Sequence, residues 1–283
     1  QGYSSAASDV YKRQDNTDAD NYMVSYALHC ATLEMMKQNG FSFKYYFDSQ
    51  KEYKEYRKAY KESYSDASGD IRSGGYKIYT SFDQSIQKKL QSSVKDNLPS
   101  GSGLQGAAVC IDNASQMVIA MVGGRSANGE YNRGFLMERN PGSSIKPLLD
   151  YGTALNEGVI TADSIITDEK VDFHGYSPKN ADYIYRGDMT AREALARSVN
   201  TVAVKLLYQT GIKTAVPYLA KMQFSSLCYA DMTILSTGLG GFTYGVKVVD
   251  MAKGYAALAN QGQYSPNTCL MQIKNCLLYT SPS

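Results

Sequence analysis

The chain has 283 residues, enough for one large domain or two small ones, and 43% of them are hydrophobic, which suffices for a globular core. A formal net charge of +2, from 29 basic and 27 acidic residues, gives no electrostatic reason to expect nucleic-acid binding. No apolar run is long enough to span a bilayer, and no signal peptide is recognisable.

Cysteine and histidine usage indicates neither a disulfide framework nor a metal site. The five cysteines are odd in number and include no C-x-x-C pair, and two histidines are too few for most metal sites. A Ser-His-Asp hydrolase would require His174 to reach a serine, and the G-x-S-x-G sequence typical of such enzymes is absent. We therefore expect no metal.

The two ends of the chain show no pattern typical of folded structure. Residues 1–14 and 276–283 resemble translated sequencing-adapter read-through, and the alternative is a pair of flexible native tails. Both segments are excluded from the fold prediction.

Residues 21–39 have the apolar spacing of a helix, which Gly40 ends. A row of tyrosines then follows at helical spacing among Lys and Glu, and it predicts a helix that packs its aromatic face on a neighbour, with a partner surface as the alternative. The tyrosines of this row are Tyr53, Tyr56, Tyr60 and Tyr64.

Residues 65–75 are rich in Ser, Gly and Asp and predict a loop.

Alternating strands and helices come next. A short strand is predicted at 76–80, and Asp83 caps a helix that carries apolar residues at helical spacing. Residues 106–112 and 116–122 predict a hairpin, and both strands are almost continuously apolar, which favours a sheet covered by helices on both faces.

The stretch Pro-Gly-Ser-Ser-Ile-Lys-Pro at 141–147 carries the first candidate chemistry. The Pro-Gly turn leads into a helix for which Ser143 is a good cap, and Lys146 lies three residues on, close enough to touch it. A serine hydroxyl becomes a nucleophile when a neighbouring base takes its proton, and a buried lysine can be that base because desolvation lowers its pKa.

S-x-x-K by itself is a weak motif, since the chain contains it three times. The two other copies lie in a polar amphipathic helix and are expected to be solvated surface, while only the copy at Ser143 follows a Pro-Gly turn and precedes a second suitable motif. The other copies are Ser85/Lys88 and Ser92/Lys95.

That second motif is Ser198-Val199-Asn200. It follows a capping box at 190–193 that opens a predicted helix running to Gly211 and carrying both polar residues. S-x-N also occurs at 126–128 and 265–267, in turn-like sequence. A hydroxyl and a carboxamide two residues apart could line one side of a cleft.

A long loop at 168–188, containing Ser-Pro-Lys-Asn at 177–180, precedes this helix; it either edges the cleft or simply crosses the surface. Further helices are predicted at 212–222 and 248–260.

The motifs at 141–147 and 198–200 resemble the first two motifs of penicillin-binding transpeptidases. Four flanking segments are similar to the bifunctional, class A penicillin-binding proteins, and the resemblance covers roughly residues 20–274. The flanking segments are 121–125, 131–133, 187–195 and 245–252.

This resemblance implies an α+β fold of the penicillin-binding-protein/serine β-lactamase-like type, with a central antiparallel sheet covered by helices. It also implies a serine-type D,D-transpeptidase that needs no cofactor. Ser143 would attack the bond between the two terminal D-alanines of a peptidoglycan stem peptide, with Lys146 as its base. Ser198 would relay a proton to the leaving amine, and Asn200 would bind the substrate backbone. β-Lactam antibiotics would acylate the same serine.

The resemblance also implies a domain order. Residues 15–72 would join a glycosyltransferase domain to the transpeptidase domain at 73–275, in a membrane-anchored parent protein acting at the extracytoplasmic face. The family's third motif, K-T/S-G on a strand, is missing; the nearest match, Lys213-Thr214-Ala215, lacks the glycine and lies in a predicted helix. The C-terminal strands are therefore expected to be missing, and the chain alone is expected to be inactive.

Two other functions stay open at this point. A serine β-lactamase would share Ser143 and Lys146, but the sequence shows no clear glutamate-bearing loop to activate a deacylating water. A non-catalytic homologue would only bind cell-wall peptide or a partner.

Overall fold

The computed structural model describes residues 21–126 and 131–275, so the proposed tails at 1–14 and 276–283 lie outside the described residues. The helices are α1 (Tyr22–Gln38), α2 (Gln50–Ser73), α3 (Gln84–Asn97), α4 (Gly152–Asn156), α5 (Ala191–Ala196), α6 (Asn200–Thr210), α7 (Ile212–Lys221) and α8 (Val248–Ala259). The strands are β1 (Tyr76–Thr80), β2 (Ala108–Asp112), β3 (Met117–Val122), β4 (Glu138–Arg139), β5 (Ile165–Asp168), β6 (Gly187–Thr190), β7 (Val246–Lys247) and β8 (Leu270–Asn275).

The chain forms two compact units. Of the described residues, 21–44, 54–126, 131–137 and 247–275 form the first unit, and 45–53 and 138–246 form the second. Both mix helices with short antiparallel sheets, in agreement with the predicted α+β class.

The first unit contains the predicted hairpin, β2 and β3, with Ala108 opposite Val122. Strand β1 pairs with β8 in a second antiparallel pair, and the Val118 N–H donates to the Thr268 carbonyl (3.2 Å), joining the hairpin to the segment before β8. Helices α1, α3 and α8 pack on the hairpin. Gln87 of α3 hydrogen-bonds both backbone groups of Met121, which satisfies a position of β3 without a further strand.

The aromatic row on α2 is a packing face, so the packing interpretation is correct. Tyr60 lies 5.9 Å from Phe41 and 5.8 Å from Tyr64, centroid to centroid. The loop predicted at 65–75 is wrong, because α2 continues to Ser73. Ala67 and Ile71 extend the buried face at helical spacing, while the intervening Ser and Asp residues face outward.

The second unit is organised around α6. Six of its residues are buried, which marks a helix enclosed on most sides. Apolar residues of α4, α5 and the segment before α4 pack against it, among them Tyr151, Ala154 and Ala194. Strands β5 and β6 form an antiparallel pair next to this core. In the part of the chain that the structure describes, no helix has the length and hydropathy to cross a bilayer.

Candidate active site

Ser143 and Lys146 lie on an irregular helical segment. A 3₁₀ turn at Gly142–Ile145 passes into a π turn at Pro147–Tyr151 before α4 begins. The predicted capping role of Ser143 is wrong: Pro141 occupies the cap position, and no side chain caps this start. Pro147 has no N–H to donate one turn back, which accounts for the departure from regular α-helix.

The turn that precedes Ser143 is held by a backbone contact between two glycines. A Cβ atom on Gly240 would lie 2.3–2.5 Å from the backbone N, O and Cα atoms of Gly142, and Gly240 has a φ of +83°. Gly142 itself has a φ of +56°. Only glycine allows this approach and both conformations, so the segment at 235–241 fixes where the Ser143 turn begins.

Lys146 is buried, with only 1% of its surface exposed. Its Nζ donates to the Ser198 carbonyl (2.7 Å), lies 3.1 Å from the Ser198 Oγ, and donates to Asn200 Oδ1 (2.6 Å). Burial lowers the Lys146 pKa from 10.5 to about 8, and the nearby Asp150 opposes part of that shift. Such a pKa makes the neutral amine accessible near physiological pH.

Ser198 lies between two helices. The single helix predicted from residue 191 to Gly211 is wrong, because α5 ends before Arg197 and α6 begins at Asn200. The Ser198 N–H donates to the Leu195 carbonyl and the Val199 N–H to the Ala194 carbonyl, both at 2.9 Å. This is a Schellman termination with Ser198, at a φ of +54°, in the left-handed position usually given to glycine.

The Schellman termination explains why Ser198 can bind Lys146. It turns the Ser198 carbonyl away from the hydrogen bonds within the helix, so that this carbonyl and the Ser198 hydroxyl both contact the Lys146 ammonium group. A serine strained into this conformation at such a point is typical of a functional position.

Asn200 is the first residue of α6, and its carboxamide is bound at both ends. Oδ1 accepts from Lys146, and Nδ2 donates to the Lys179 carbonyl (2.8 Å) in the loop at 168–188. The loop therefore contacts the cluster directly and does not merely cross the surface.

Asp150 is a buried group that the sequence reasoning missed. It is 0% exposed, and neither of its carboxylate oxygens has a hydrogen-bond partner among the described residues. Burial raises the Asp150 pKa well above its usual value, and the Lys146 charge opposes that rise. A carboxylate four residues after Lys146, inside an apolar run, was the available signal.

The Ser143 side chain is exposed, and its hydroxyl makes no hydrogen bond within the described residues. The structure thus brings Lys146, Ser198 and Asn200 together, with Ser143 one turn before the lysine and linked to it by the Lys146 N–H, which donates to the Ser143 carbonyl. The arrangement can supply a nucleophile, a buried base and a hydroxyl that could pass a proton onward.

The competing motifs stay apart from this cluster. The two other S-x-x-K copies lie exposed on α3, and Lys213 lies in α7, as predicted, rather than on a strand. Within residues 21–126 and 131–275, no group of three His, Cys, Asp or Glu side chains is placed to hold a metal ion.

Comparison with known proteins gives a consistent match. The family described as penicillin binding protein transpeptidase domain matches residues 106–283. Penicillin-binding protein 4 of Bacillus subtilis is 34% identical over 200 residues, covering 70% of this chain and 32% of that protein. Penicillin-binding protein 1A of Clostridium botulinum is 33% identical over 212 residues, covering 68% and 26%.

Solved structures agree on the fold. The PonA1 protein of Mycobacterium tuberculosis in complex with penicillin V aligns with a TM-score of 0.63 and 24% identity, over 74% of this chain and 58% of that one. Penicillin-binding protein 1A of Haemophilus influenzae aligns with a TM-score of 0.58 and 18% identity, over 89% and 48%.

The chain belongs to the penicillin-binding protein transpeptidase domain family. Its similarity to several penicillin-binding proteins 1A agrees with the predicted class A resemblance. The chain spans about a third or less of the length of these two curated relatives.

Proposed function

We propose that this chain carries the acylation site of a peptidoglycan D,D-transpeptidase, with Ser143 as the nucleophile. The observation that supports it best is the buried Lys146, whose amine meets Ser198 and Asn200 one turn after an exposed serine. The Lys146 amine is buried, but it contacts the Ser198 hydroxyl, which is exposed to solvent. An amine in this setting is suited to accept and return protons during acyl transfer.

The first step transfers the Ser143 hydroxyl proton as its oxygen forms a bond to the carbonyl carbon between two terminal D-alanines. Lys146 accepts that proton, directly or through Ser198. In its neutral form the lysine has two N–H groups, which match the acceptor-only Ser198 carbonyl and Asn200 Oδ1. The lone pair on Nζ is then free to accept a proton from the Ser198 hydroxyl. It can accept one directly from the Ser143 hydroxyl after the exposed Ser143 side chain rotates toward Lys146.

Collapse of the tetrahedral intermediate breaks the peptide bond and expels D-alanine. The leaving amine takes a proton from the Ser198 hydroxyl, which Lys146 replenishes across 3.1 Å. The acyl group remains on Ser143 as an ester until the amine of a second stem peptide attacks it. Each proton taken from a nucleophile is returned to a leaving group, so the cycle needs no cofactor.

The Ser143 N–H is expected to supply one donor to the developing oxyanion. It belongs to the first turn of the 3₁₀ segment, where backbone N–H groups have no partner within the helix. The same proposal includes stem peptides as the substrate and the extracytoplasmic face of the membrane as the location. Both are inferred from the family to which the chain belongs. The domain boundaries at 15–72 and 73–275 also remain predictions.

Acylation with a fluorescent penicillin tests the assignment. Ser143→Ala should abolish labelling, while Ser144→Ala is a matched control because the Ser144 hydroxyl instead donates to the Pro141 carbonyl (2.7 Å). Labelling of the chain is compared with labelling of a hybrid that carries the downstream residues of the Bacillus subtilis relative, so that the effect of those residues on the rate is measured. Rapid turnover of a chromogenic cephalosporin would instead support a β-lactamase.

A further inference from the structure

The start of α6 is capped by a side chain from a distant loop. Val199, which precedes the helix, offers no side-chain oxygen for its free N–H groups. Asn180 supplies one: its Oδ1 accepts from the Asn200 N–H (2.9 Å) and from the Thr201 N–H (3.3 Å). Asn180 is 3% exposed, so the hydrogen bonds that cap α6 lie in the protein interior.

Asn180 is held in turn by Asp168, at the end of β5. The Asn180 Nδ2 lies 2.8 and 3.1 Å from the two Asp168 carboxylate oxygens and also donates to the Ile184 carbonyl (2.8 Å). Asp168 is 1% exposed and accepts from the Thr201 hydroxyl (2.5 Å) and the Arg186 N–H (3.0 Å). This buried carboxylate is therefore well hydrogen-bonded, and it lies at the positive end of α6.

The same loop decides which way the Asn200 carboxamide faces. A carboxamide presents an acceptor on one side and a donor group on the other. The Lys179 carbonyl can only accept, and it binds Nδ2, so Oδ1 is left to face Lys146. The backbone carbonyl at 179 and the side chain at 180 thus fix the first residue of α6 in position and in orientation.

We infer that Asp168 and Asn180 are positioning residues for acyl transfer: they hold Asn200 so that its oxygen meets Lys146. The inference rests on the proposed function for the reaction itself, but its geometric part is independent of it. A displacement of about 1 Å at a reacting group can cost on the order of a hundredfold in rate.

The test compares three variants and one control variant, each made in the full chain and in the hybrid that carries the downstream residues of the Bacillus subtilis relative. Asn180→Ala removes the cap. Asn180→Asp keeps an acceptor for α6 but places two carboxylates in contact, and adding Asp168→Asn to it restores a donor between the two side chains. Asp172→Asn is the matched control, because Asp172 lies in the same loop and its partners among the described residues are the Gly175 N–H (2.9 Å) and the Ser177 hydroxyl (2.6 Å), outside the cluster.

Two readouts are measured on the folded proteins. One is the penicillin acylation rate at saturating antibiotic, together with the concentration that gives half of it. The other, which needs no activity, is hydrogen exchange at the Asn200 and Thr201 amides. For Asn180→Ala we expect a ~10- to 100-fold slower acylation, a half-saturating concentration changed less than ~3-fold, and faster exchange at both amides.

Asn180→Asp should also slow acylation and speed exchange, because repulsion between the two carboxylates displaces the side chain that caps α6. The Asp168→Asn/Asn180→Asp double variant should recover at least part of both readouts, and Asp172→Asn should match the wild type. If Asn180→Ala does not fold, the inference is tested by comparing the Asp168→Asn/Asn180→Asp double variant with Asn180→Asp alone. Wild-type acylation and exchange in folded Asn180→Asp or Asn180→Ala would overturn the inference, as would the absence of any recovery in the pair.

The two proposals fail in distinguishable ways. Wild-type protein that never acylates at Ser143, but whose Asn200 and Thr201 amides lose protection on Asn180→Ala, would contradict the proposed function and support the positioning geometry. Normal acylation of Asn180→Ala at Ser143 would support the function and contradict the positioning role.

Discussion

Lys146→Met removes the buried ammonium group and keeps an unbranched side chain of similar length. Because burial lowers the Lys146 pKa from 10.5 to about 8, the unfolded chain holds this proton to higher pH than the folded protein does. Stability from this group is therefore present above the unfolded pKa and is lost as pH falls through the folded pKa. At ~1.4 kcal/mol per pKa unit, the difference amounts to about 3 kcal/mol.

At pH 7 two effects of the substitution oppose each other. It removes the cost of about 3 kcal/mol for burying the charged amine, and it leaves three acceptors at Ser198 and Asn200 without their donor, at ~1 kcal/mol each. We expect a change within ~2 kcal/mol at pH 7. At pH 10.5 the variant should be less stable than the wild type by a further ~3 kcal/mol, because only the wild type gains from deprotonation.

Urea unfolding of both proteins at the two pH values measures this difference. Ionisation of groups that do not interact with Lys146 is common to both proteins and cancels in the comparison. Asp150 does interact with it, so both proteins are also compared in an Asp150→Asn background. Lys88→Met is the control, since Lys88 is exposed on α3 and should give the same small change at either pH. An equal destabilisation by Lys146→Met at both pH values would show that Lys146 is charged and unperturbed, and would refute the argument for a base.

Three further outcomes are expected for variants near the site. Lys146→Arg keeps the charge but cannot readily release a proton, so penicillin acylation should fall by roughly two to four orders of magnitude. Asp150→Asn removes the charge that raises the Lys146 pKa, so the pH midpoint of acylation should move to lower pH. Gly240→Ala forces a Cβ into the Gly142 backbone and should displace the Ser143 turn, with acylation falling at least tenfold.

Each of these outcomes has a control or a contradicting result. Near-normal acylation by the arginine variant at neutral pH would show that another group is the base. An unchanged midpoint in Asp150→Asn would mean that this carboxyl is neutral in the folded protein. Gly262→Ala has the same φ of +83° and open space around it, so it measures the backbone strain without the clash.

Local signals in the sequence were sufficient for most regular elements. Asp83 caps α3 by accepting from the Ile86 N–H, as predicted, and the Asn21 side chain caps α1 by accepting from the Met23 N–H. The hairpin of β2 and β3 follows from two apolar runs around a polar turn. The composition of residues 65–75 predicted a loop, but Ala67 and Ile71 are buried at helical spacing, and this packing keeps the segment in α2 despite its Ser and Asp residues.

The candidate site depended more on tertiary structure. The motifs gave Lys146, Ser198 and Asn200, but not the Schellman termination that presents the Ser198 carbonyl, since sequence patterns favour glycine there. The cap from Asn180 joins residues 20 positions apart through a long loop, and no periodicity connects them.

Mass mapping of the penicillin adduct tests the central claim most directly. Fluorescent penicillin is reacted with the chain and with the hybrid that carries the downstream residues of the Bacillus subtilis relative, and the labelled peptide is sequenced by mass spectrometry. We predict that the adduct is on Ser143, as an ester that Lys146→Arg prevents from forming at a comparable rate. An adduct on Ser85, Ser92 or Ser126 in either protein would contradict the assignment.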